Sequence, residues 1–467
     1  MTRMAHQYFD RELGLLDRAA YRSQDIFDRE LTTVFARTWL FVGHESQVPH
    51  PNDFFASRMG ADHVVLTRDK AGEIHVLLNT CRHKGMRVVR YDEGNTPVFT
   101  CPYHAWSYST DGKIAKVPGQ LVGVQSYQDS YCRQLDKVQW GLVNARVQVY
   151  KGAVFATWDH DGPDLLEYLG DMKLYLDSLL DSQDGSEGGT EVIPGVIKWR
   201  LYANWKACSE NFVGDPLHGV SHRSVEIADI GPGGVSGASR HGMEAERERL
   251  PWLMVSFEDK GHGILSTAPY EVTDANADIF PNFQNPVGPL DRPDVVDAYF
   301  RETARKRPAN HAGRLSTGMY QSVGGIFPNM SFHTMFPRTI AVWHPIAPGV
   351  TEGWRWCVVD KAAPQEVKDT ARHHFMRYSG PTGLTEQDDM ENWSYLTEAT
   401  RGPIARRFPY NYQAGLHAER TEPSLAGATV SDLKNTELSL RGFYVAWQRH
   451  LNSADGADRA DSAGESR

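Results

Sequence analysis

Two short segments of the chain each combine one cysteine with one histidine: Cys81-Arg82-His83 and Cys101-Pro102-Tyr103-His104. Seventeen residues separate His83 from Cys101. Two thiolates and two imidazoles at this spacing supply four ligands for one metal site. An iron–sulfur cluster in which two histidines replace two cysteines on one iron has a reduction potential of roughly −150 to +300 mV. A cluster in that range can accept electrons from a ferredoxin and pass them to an oxygen-activating metal.

The same four side chains are also a ligand set for structural zinc. Zinc fingers usually place two cysteines together and then two histidines, whereas each segment here carries one of each. Each segment can therefore give one sulfur to one iron and one imidazole to the other. The runs 74–78 and 97–100 just before the ligands are apolar and β-prone, so the ligands are predicted to lie at the ends of hairpins. The pattern favours a Rieske-type [2Fe–2S] cluster, with zinc as the alternative.

A second constellation lies within residues 210–222. His218 and His222 are four residues apart, so on a helix they share a face and can bind one metal. Mononuclear iron that activates oxygen typically has two histidines and one carboxylate on one side, with the other positions open. The segment 386–393 contains Asp388 and Asp389, which can supply the carboxylate or can simply favour a helix N-terminus.

At these residues the sequence resembles the Rieske non-heme iron ring-hydroxylating oxygenases. Their first cluster segment reads Cys-x-His-[Arg/Lys]-Gly, as in residues 81–85, and their second reads Cys-x-Tyr-His-Gly-Trp, matched by residues 101–106. Ala105 replaces the glycine and is expected to alter the loop backbone slightly, because glycine is permissive where alanine is not. Residues 386–389 match the family's Glu-x-Asp-Asp segment, and the resemblance implies that Asp389 is the third iron ligand. The segment 327–332 is also similar.

The resemblance also gives Asp215 a role. The matching aspartate of the family connects a cluster histidine of one subunit to an iron-binding histidine of the next, so Asp215 would join His104 to a neighbour's His218. The alternative is a helix-capping or surface aspartate. Three residues separate His218 from His222, which fits a regular α-turn, whereas naphthalene-type members have four. The family's Asp-x-Tyr-His is also changed, since Pro216 and Leu217 precede His218.

The chain therefore resembles the large α subunit of an aromatic-ring-hydroxylating dioxygenase of the naphthalene and biphenyl type. This implies one Rieske [2Fe–2S] cluster, one mononuclear Fe(II) and O₂ as co-substrate. The product would be a cis-dihydrodiol, formed with electrons from NADH through a reductase and a ferredoxin. A bridging aspartate requires head-to-tail contacts between α subunits, so a homotrimer is expected, as α3 or as α3β3 with a small β subunit.

The substrate is expected to be a mono- or polycyclic aromatic hydrocarbon. The candidate substrate-binding residues are Asn211, Phe212, Leu217, His333 and Thr385. His333 with Arg338 could instead recognise an aromatic carboxylate such as a phthalate-type acid, although an arginine is often ion-paired. Three further functions fit parts of the pattern: a Rieske monooxygenase or demethylase, an electron carrier without catalytic iron, and a zinc-stabilised binding protein.

Composition narrows the class of protein. The chain has 467 residues, of which 40% are hydrophobic, and a net charge of −10, which argues against nucleic acid as a partner. Three cysteines beyond the cluster segments, Cys132, Cys208 and Cys357, are expected to be free thiols, as in a reducing cytosol. Neither a signal peptide nor an apolar run of about 18 residues is found, so a cytoplasmic protein without a membrane span is expected.

The elements that position these sites are predicted to form an α+β protein. It has a helical segment over 1–40 that packs on the catalytic domain, and a small all-β Rieske domain over 41–157. A larger catalytic domain over 158–451 has an antiparallel sheet and surrounding helices, and a disordered tail covers 452–467. Helices are predicted over 165–180, 364–377 and 386–400, strands near 138–140, 154–158 and 196–201, and long loops with short helices over 231–315.

Overall fold

From residue 7 on, the N-terminal segment forms two short strands, a 3₁₀ helix (Arg18–Tyr21) and one α-helix, so the helical run predicted over residues 1–40 is present only in part. The computed structural model describes residues 7–115, 136, 138–222, 252–267, 291–310, 322–425, 427–431 and 435–453. Strand β1 (Phe9–Asp10) pairs antiparallel with β2 (Leu15–Leu16). Gly14, at φ +61°, permits the reversal between them. Helix α1 (Gln24–Glu30) begins after Ser23, whose hydroxyl accepts the N–H of Ile26, and continues as a π-helical turn over Leu31–Phe35.

Residues Ala36–Gly162 form a compact unit of strands and turns. Its strands are β3 (Leu40–His44), β4 (Asp53–Met59), β5 (Asp62–Arg68), β6 (Ile74–Leu78), β7 (Glu93–Asn95), β8 (Val98–Thr100), β9 (Ser107–Ser109), β10 (Arg146–Tyr150) and β11 (Ala153–Thr157). They pair as a four-stranded sheet in the order β6-β5-β4-β7, a three-stranded sheet in the order β10-β11-β3, and the hairpin β8-β9. The predicted strand at 138–140 is instead a turn.

The second unit contains Met1–Phe35 and Pro163–Arg467. Its helices are α2 (Leu165–Leu169), α3 (Lys173–Leu180), α4 (Trp205–Phe212), α5 (Pro293–Asn310), α6 (Gln365–Tyr378), α7 (Glu386–Ala399) and α8 (Leu438–Asn452). The single helix predicted over 165–180 is broken at Gly170, at φ +54°. Helix α8 extends through Asn452, and residues 454–467 of the predicted tail lie outside the described residues.

A ten-stranded antiparallel sheet is the centre of this unit. Its strands are β12 (Thr190–Val192), β13 (Ile197–Leu201), β14 (Trp252–Phe257), β15 (His262–Thr267), β16 (Ser322–Ile326), β17 (Met330–His333), β18 (Arg338–Ala347), β19 (Val350–Asp360), β21 (Arg420–Thr421) and β22 (Thr429–Ser431), while β20 (Tyr410–Asn411) pairs with β2. The order is β12-β19-β18-β17-β16-β15-β14-β22-β21, with β13 also on β19.

Helices that matter for the site pack on this sheet. Helix α4 packs on β16, β17 and β18, and α8 packs on β14 and β15. Strands β14 and β15 fall inside 231–315, so the prediction of loops with short helices is wrong for these two strands, whereas helix α5 differs from it only in its length. Residues 223–251, 268–290 and 311–321 lie outside the described residues. The predicted α+β class, with one small all-β unit and one larger unit that contains an antiparallel sheet and helices, is confirmed. No described helix is long and apolar enough to cross a membrane.

Candidate metal centres and substrate pocket

The two cysteine–histidine segments form loops with the same hydrogen-bond scheme. The N–H of Cys81 donates to the carbonyl of Met86 and that of Cys101 to the carbonyl of Trp106, each at 2.8 Å. In return, the carbonyl of each cysteine accepts the N–H four residues later, from Gly85 at 2.9 Å and from Ala105 at 3.0 Å. The first loop follows β6, and the second joins β8 to β9. The two segments therefore share one backbone scheme, in which each turn presents one cysteine and one histidine.

Gly85 and Ala105 occupy equivalent positions in these loops and share a left-handed backbone. Their φ angles are +74° and +61°. The alanine therefore adopts the conformation that a glycine would adopt there, and both closing hydrogen bonds of its loop are kept. The replacement of glycine by alanine therefore leaves the loop backbone in place and strains only Ala105. The left-handed region costs a non-glycine residue about 1 kcal/mol or more.

The four predicted cluster ligands separate into a buried pair and an outer pair. Cys81 and Cys101 are buried, whereas His83 is partly exposed and His104 is exposed. The rings of His83 and His104 lie 4.6 Å apart between centroids, and Nδ1 of His83 is buried with no hydrogen-bond partner in the part of the chain that the structure describes. Thiols on one side and imidazoles on the other fit two irons, each with its own pair of protein ligands.

The same arrangement argues against a single zinc ion. A tetrahedral zinc site needs its four donors around one point. Among the described residues, three or more donors come within 4.8 Å of one another only at His218, His222 and Asp389. The four loop ligands therefore do not converge on one ion as Cys₂His₂ zinc would require.

Tyr108 on β9 contacts one of these cysteines, a role that the sequence pattern does not indicate. Its hydroxyl oxygen accepts the N–H of Arg82 at 3.1 Å and lies 3.3 Å from Sγ of Cys81. Since the oxygen already accepts from Arg82, its own proton is free to point at the sulfur. Burial and then the Cys81 thiol raise the pKa of Tyr108, so the phenol stays protonated. In the sequence, the aromatic ring of Tyr108 between two serines indicates that the side chain is buried. It does not indicate that the hydroxyl contacts Cys81.

The second constellation brings its three predicted ligands together. His218 and His222 lie on a 3₁₀ helix, Leu217–His222, and Asp389 lies in the first turn of α7. Oδ1 of Asp389 is 3.9 Å from Nε2 of His218 and 3.6 Å from Nε2 of His222. Two imidazoles and one carboxylate within this distance match the set that holds mononuclear iron and leaves other positions open.

The turn that carries the histidines is not the regular α-turn expected. Pro216 has no N–H to donate, and Oδ1 of Asp215 accepts the N–H of Leu217 at 2.8 Å, so the helix begins at Leu217 in the tighter 3₁₀ form. Nδ1 of His218 donates to the carbonyl of Asp215 at 2.7 Å, and the Asp215 carboxylate lies 3.8 Å away. A backbone acceptor on one ring nitrogen leaves the other free to face Asp389.

A buried ion pair also lies beside this site. Nη2 of Arg355 on β19 lies 2.8 Å from Oε1 of Glu386, which is one turn before Asp389 on α7. Oε2 of Glu386 accepts the N–H of Gly380 at 2.5 Å. Burial and then Glu386 raise the pKa of Asp389, while Arg355 opposes this. A buried carboxylate in that environment fits a cation as its partner, and the two histidines place one within reach. A lone arginine inside the apolar strand 354–359 is the sequence signal for such a pair.

Glu210 on α4 is the centre of another buried cluster. Its carboxylate accepts hydrogen bonds from the hydroxyls of Tyr444 and Tyr412, the latter at 2.9 Å. Tyr444 is in turn 2.6 Å from the hydroxyl of Tyr21. Burial raises the pKa of Glu210 to about 7. The cluster ties α4, which leads into the histidine segment, to α8 and to the N-terminal segment.

The predicted substrate residues do not all meet. The ring of Phe212 at the end of α4 lies 5.3 Å from that of His333, 5.6 Å from that of Trp343 and 6.3 Å from that of Trp393. Asn211 and Thr385 are buried, and Thr385 hydrogen-bonds Tyr378. Leu217 is 39% exposed on the 3₁₀ helix, outside this aromatic group.

Arg338 is not available to a substrate. It is buried at the start of β18, forms an ion pair with Asp360 and donates to the carbonyls of Leu179 at 3.0 Å and Asp181 at 2.7 Å. The hypothesis that it recognises an aromatic carboxylate is therefore wrong.

Two of the three cysteines that are predicted to be free thiols, Cys208 and Cys357, are buried and form no disulfide, as expected. The third, Cys132, lies outside the described residues.

Comparison with known proteins gives the family. Residues 38–128 match the Rieske [2Fe-2S] domain, and residues 187–453 match the catalytic domain of the ring hydroxylating alpha subunit. The chain is 35% identical to the chlorobenzene dioxygenase subunit alpha of Cupriavidus sp. (strain PS12), over 96% of this chain and 94% of that one. The chain belongs to the ring-hydroxylating dioxygenase α subunits.

Two further relatives agree with this. The biphenyl 2,3-dioxygenase subunit alpha of Rhodococcus jostii (strain RHA1) is 36% identical over 96% of this chain and 91% of that one. A solved naphthalene 1,2-dioxygenase with indole bound in its active site superposes with a TM-score of 0.81 at 27% identity, covering 98% of this chain and 97% of that one. The cofactors of this α subunit are a Rieske [2Fe–2S] cluster and a mononuclear iron, as predicted, and its donor sets fit both.

Proposed function

We propose that this α subunit is the terminal oxygenase that adds both atoms of O₂ to an aromatic ring to give a cis-dihydrodiol. The observation that carries the proposal is the convergence of His218, His222 and Asp389 within 4.8 Å, next to an aromatic wall that begins at Phe212. When bound, the cluster supplies electrons one at a time and the iron supplies the oxygen chemistry. The protein residues set the positions of both and of the ring.

Cys81, His83, Cys101 and His104 would hold the cluster, and His218, His222 and Asp389 would hold the iron. The Asp215 carbonyl fixes His218 through Nδ1, and the Asp388 carboxylate lies 3.6 Å from Nδ1 of His222. The hydrogen bond to the Asp215 carbonyl orients the His218 ring toward Asp389, while Asp388 lies near His222 without a hydrogen bond to Nδ1.

We propose that electrons cross between subunits through Asp215. His104 is exposed, and the Asp215 side chain is about one-fifth exposed beside His218. A carboxylate between two imidazoles would give a short, ordered path and would fix both tautomers. This requires head-to-tail contacts, most simply an α3 ring, with or without three small β subunits. NADH, a reductase and a ferredoxin would supply the electrons, and the cytoplasm remains the proposed location.

The substrate is proposed to be a mono- or polycyclic aromatic hydrocarbon skeleton. The relatives are named for chlorobenzene and biphenyl, and the rings of Phe212, Trp343 and Trp393 form an apolar wall. Asn211 and Thr385 are proposed to complete the pocket, and Leu217 remains a predicted contact.

An isotope experiment tests the reaction. The purified oxygenase, reconstituted with a reductase and a ferredoxin, is incubated with biphenyl under ¹⁸O₂. A dihydrodiol that carries both labelled atoms is expected, whereas a singly labelled phenol would identify a monooxygenase.

A ligand variant tests the iron site. Asp389→Ala should lower iron from about three to about two atoms per chain and keep the cluster absorbance, since only the mononuclear ion is lost. Glu391→Ala, on an exposed position of the same helix, is the matched control. Iron content equal in both variants would remove Asp389 as a ligand.

A further inference from the structure

One polar side chain lies next to the aromatic wall of the proposed substrate site. His333 is the last residue of β17, held by pairing with Val323 on β16 and Thr339 on β18. Its ring lies 5.3 Å from that of Phe212 and 6.4 Å from that of Tyr378. His218 and His222 act on it electrostatically, which places it toward the proposed iron site.

His333 keeps an unused hydrogen-bonding atom. Its Nε2 is buried and has no hydrogen-bond partner among the described residues, whereas the nearby indole nitrogen of Trp343 donates to Oγ of Ser331 at 2.9 Å. An unpaired polar atom in a protein interior costs about 1–3 kcal/mol. Such an atom beside a substrate pocket is explained when the substrate itself supplies the partner.

The imidazole is neutral, because burial and then the charge of Arg355 lower the pKa of His333 to about 3. Arg355 is paired with Glu386, and Arg338 is paired with Asp360, so neither of these two arginines is a free cation beside the imidazole. A neutral imidazole, next to an arginine that is already ion-paired, offers a hydrogen bond but no unpaired positive charge for a carboxylate. A hydroxyl group both donates and accepts, so it can bond Nε2 in either tautomer.

We infer that His333 determines specificity by hydrogen-bonding a hydroxyl group carried by the aromatic substrate. The inference rests on the proposed function, because it concerns the same pocket. Among aromatic skeletons of one shape, the enzyme would then prefer the hydroxylated ring to the bare hydrocarbon and would discriminate against the carboxylated one. A site with a polar group to satisfy rejects the analogue that leaves it unpaired.

Binding and turnover of biphenyl, 2-hydroxybiphenyl and biphenyl-2-carboxylate test this. The holoenzyme is titrated with each compound anaerobically in its oxidised state, so that Kd is measured without turnover, and kcat/KM is measured separately with the redox partners present. The wild-type enzyme should bind 2-hydroxybiphenyl about ten-fold more tightly than biphenyl, with the same preference in kcat/KM. Biphenyl-2-carboxylate should bind least well.

Two variants separate a hydrogen bond from a change in shape. His333→Leu should bring the ratio of the two Kd values close to one, and His333→Asn, which keeps a donor and an acceptor, should restore a preference for the hydroxylated ring. Equal Kd values in the wild type, or a preference unchanged in His333→Leu, would overturn the inference. A shifted Kd ratio without any oxidised product would instead overturn the proposed function and leave this role of His333 standing.

Discussion

Replacing Tyr108 by Phe should lower the reduction potential of the cluster while leaving the cluster in place. The phenyl ring of Tyr108 is fully buried in the core that also holds Cys81 and Cys101, and Phe preserves that ring. The change removes only the hydroxyl that lies 3.3 Å from Sγ of Cys81. Because the reduced cluster carries one more negative charge than the oxidised cluster, a donor to its sulfur stabilises the reduced state more.

The magnitude follows from the strength of one hydrogen bond. A hydrogen bond contributes about 1 kcal/mol between neutral groups and about twice as much when one partner is charged. The difference between the two redox states is then about 1 kcal/mol for this bond. For a one-electron couple, 59 mV corresponds to a ten-fold change in the equilibrium constant, so the midpoint potential should fall by about 40 mV.

A redox titration followed by electron paramagnetic resonance of the reduced cluster measures this shift. Tyr91→Phe, at a hydroxyl on the exposed surface of the same unit, is the matched control and should leave the potential unchanged. Iron and acid-labile sulfide are measured in both variants, so that loss of the cluster is not mistaken for a shift. A midpoint potential in Tyr108→Phe that equals the wild-type value, or that rises, would refute the hydrogen bond to Cys81.

Three further predictions concern single residues. Ala105→Gly should stabilise the small unit by roughly 1 kcal/mol, because it relieves a φ of +61° in a non-glycine residue, and calorimetry should show a higher melting temperature. Asp215→Ala should keep the cluster spectrum and abolish product formation, and retained turnover would exclude the proposed bridge. Since the pKa of Glu210 is raised to about 7, its native form binds a proton that the unfolded chain releases above about pH 4.5, so its stabilisation is lost as pH rises toward 7. Between pH 4.5 and 7 the free energy of unfolding of Glu210→Gln should therefore fall by roughly 3 kcal/mol less than that of the wild type. Melting temperatures of both proteins across this pH range measure the difference.

The cysteine–histidine and histidine–histidine pairs could be found in the sequence because the two members of each pair are close together, whereas the distant Asp389 follows from the family resemblance. His83 lies two residues after Cys81, and His222 lies four after His218, so one loop or one turn places each pair. Spacing alone did not give the backbone, however. The expected α-turn at His218 is a 3₁₀ helix because Pro216 lacks an N–H and Asp215 caps the next residue, and such choices depend on individual hydrogen bonds.

The fold was less readable where local composition and tertiary pairing disagree. Glycine, proline and charge favoured loops over 231–315, yet β14 and β15 form there because each is hydrogen-bonded to neighbours in the ten-stranded sheet. Strand formation depends on cross-strand packing more than on the segment itself. The N-terminal segment departs from the predicted helical run for the same reason, since β2 pairs with β20 near the other end of the chain.

The substrate pocket shows why site residues are harder to predict than metal ligands. His333 and Arg338 are five residues apart and together indicated an anion site, but the function of each depends on a partner distant in sequence. Arg338 faces Asp360 across the β18–β19 pair, which neutralises it in the core. Nε2 of His333 meets no such partner among the described residues, so it keeps a hydrogen-bonding atom for the pocket. Arg338 is therefore excluded from binding a carboxylate, and His333 alone supplies a neutral polar contact. The substrate group that fits this contact is a hydroxyl and not a carboxylate.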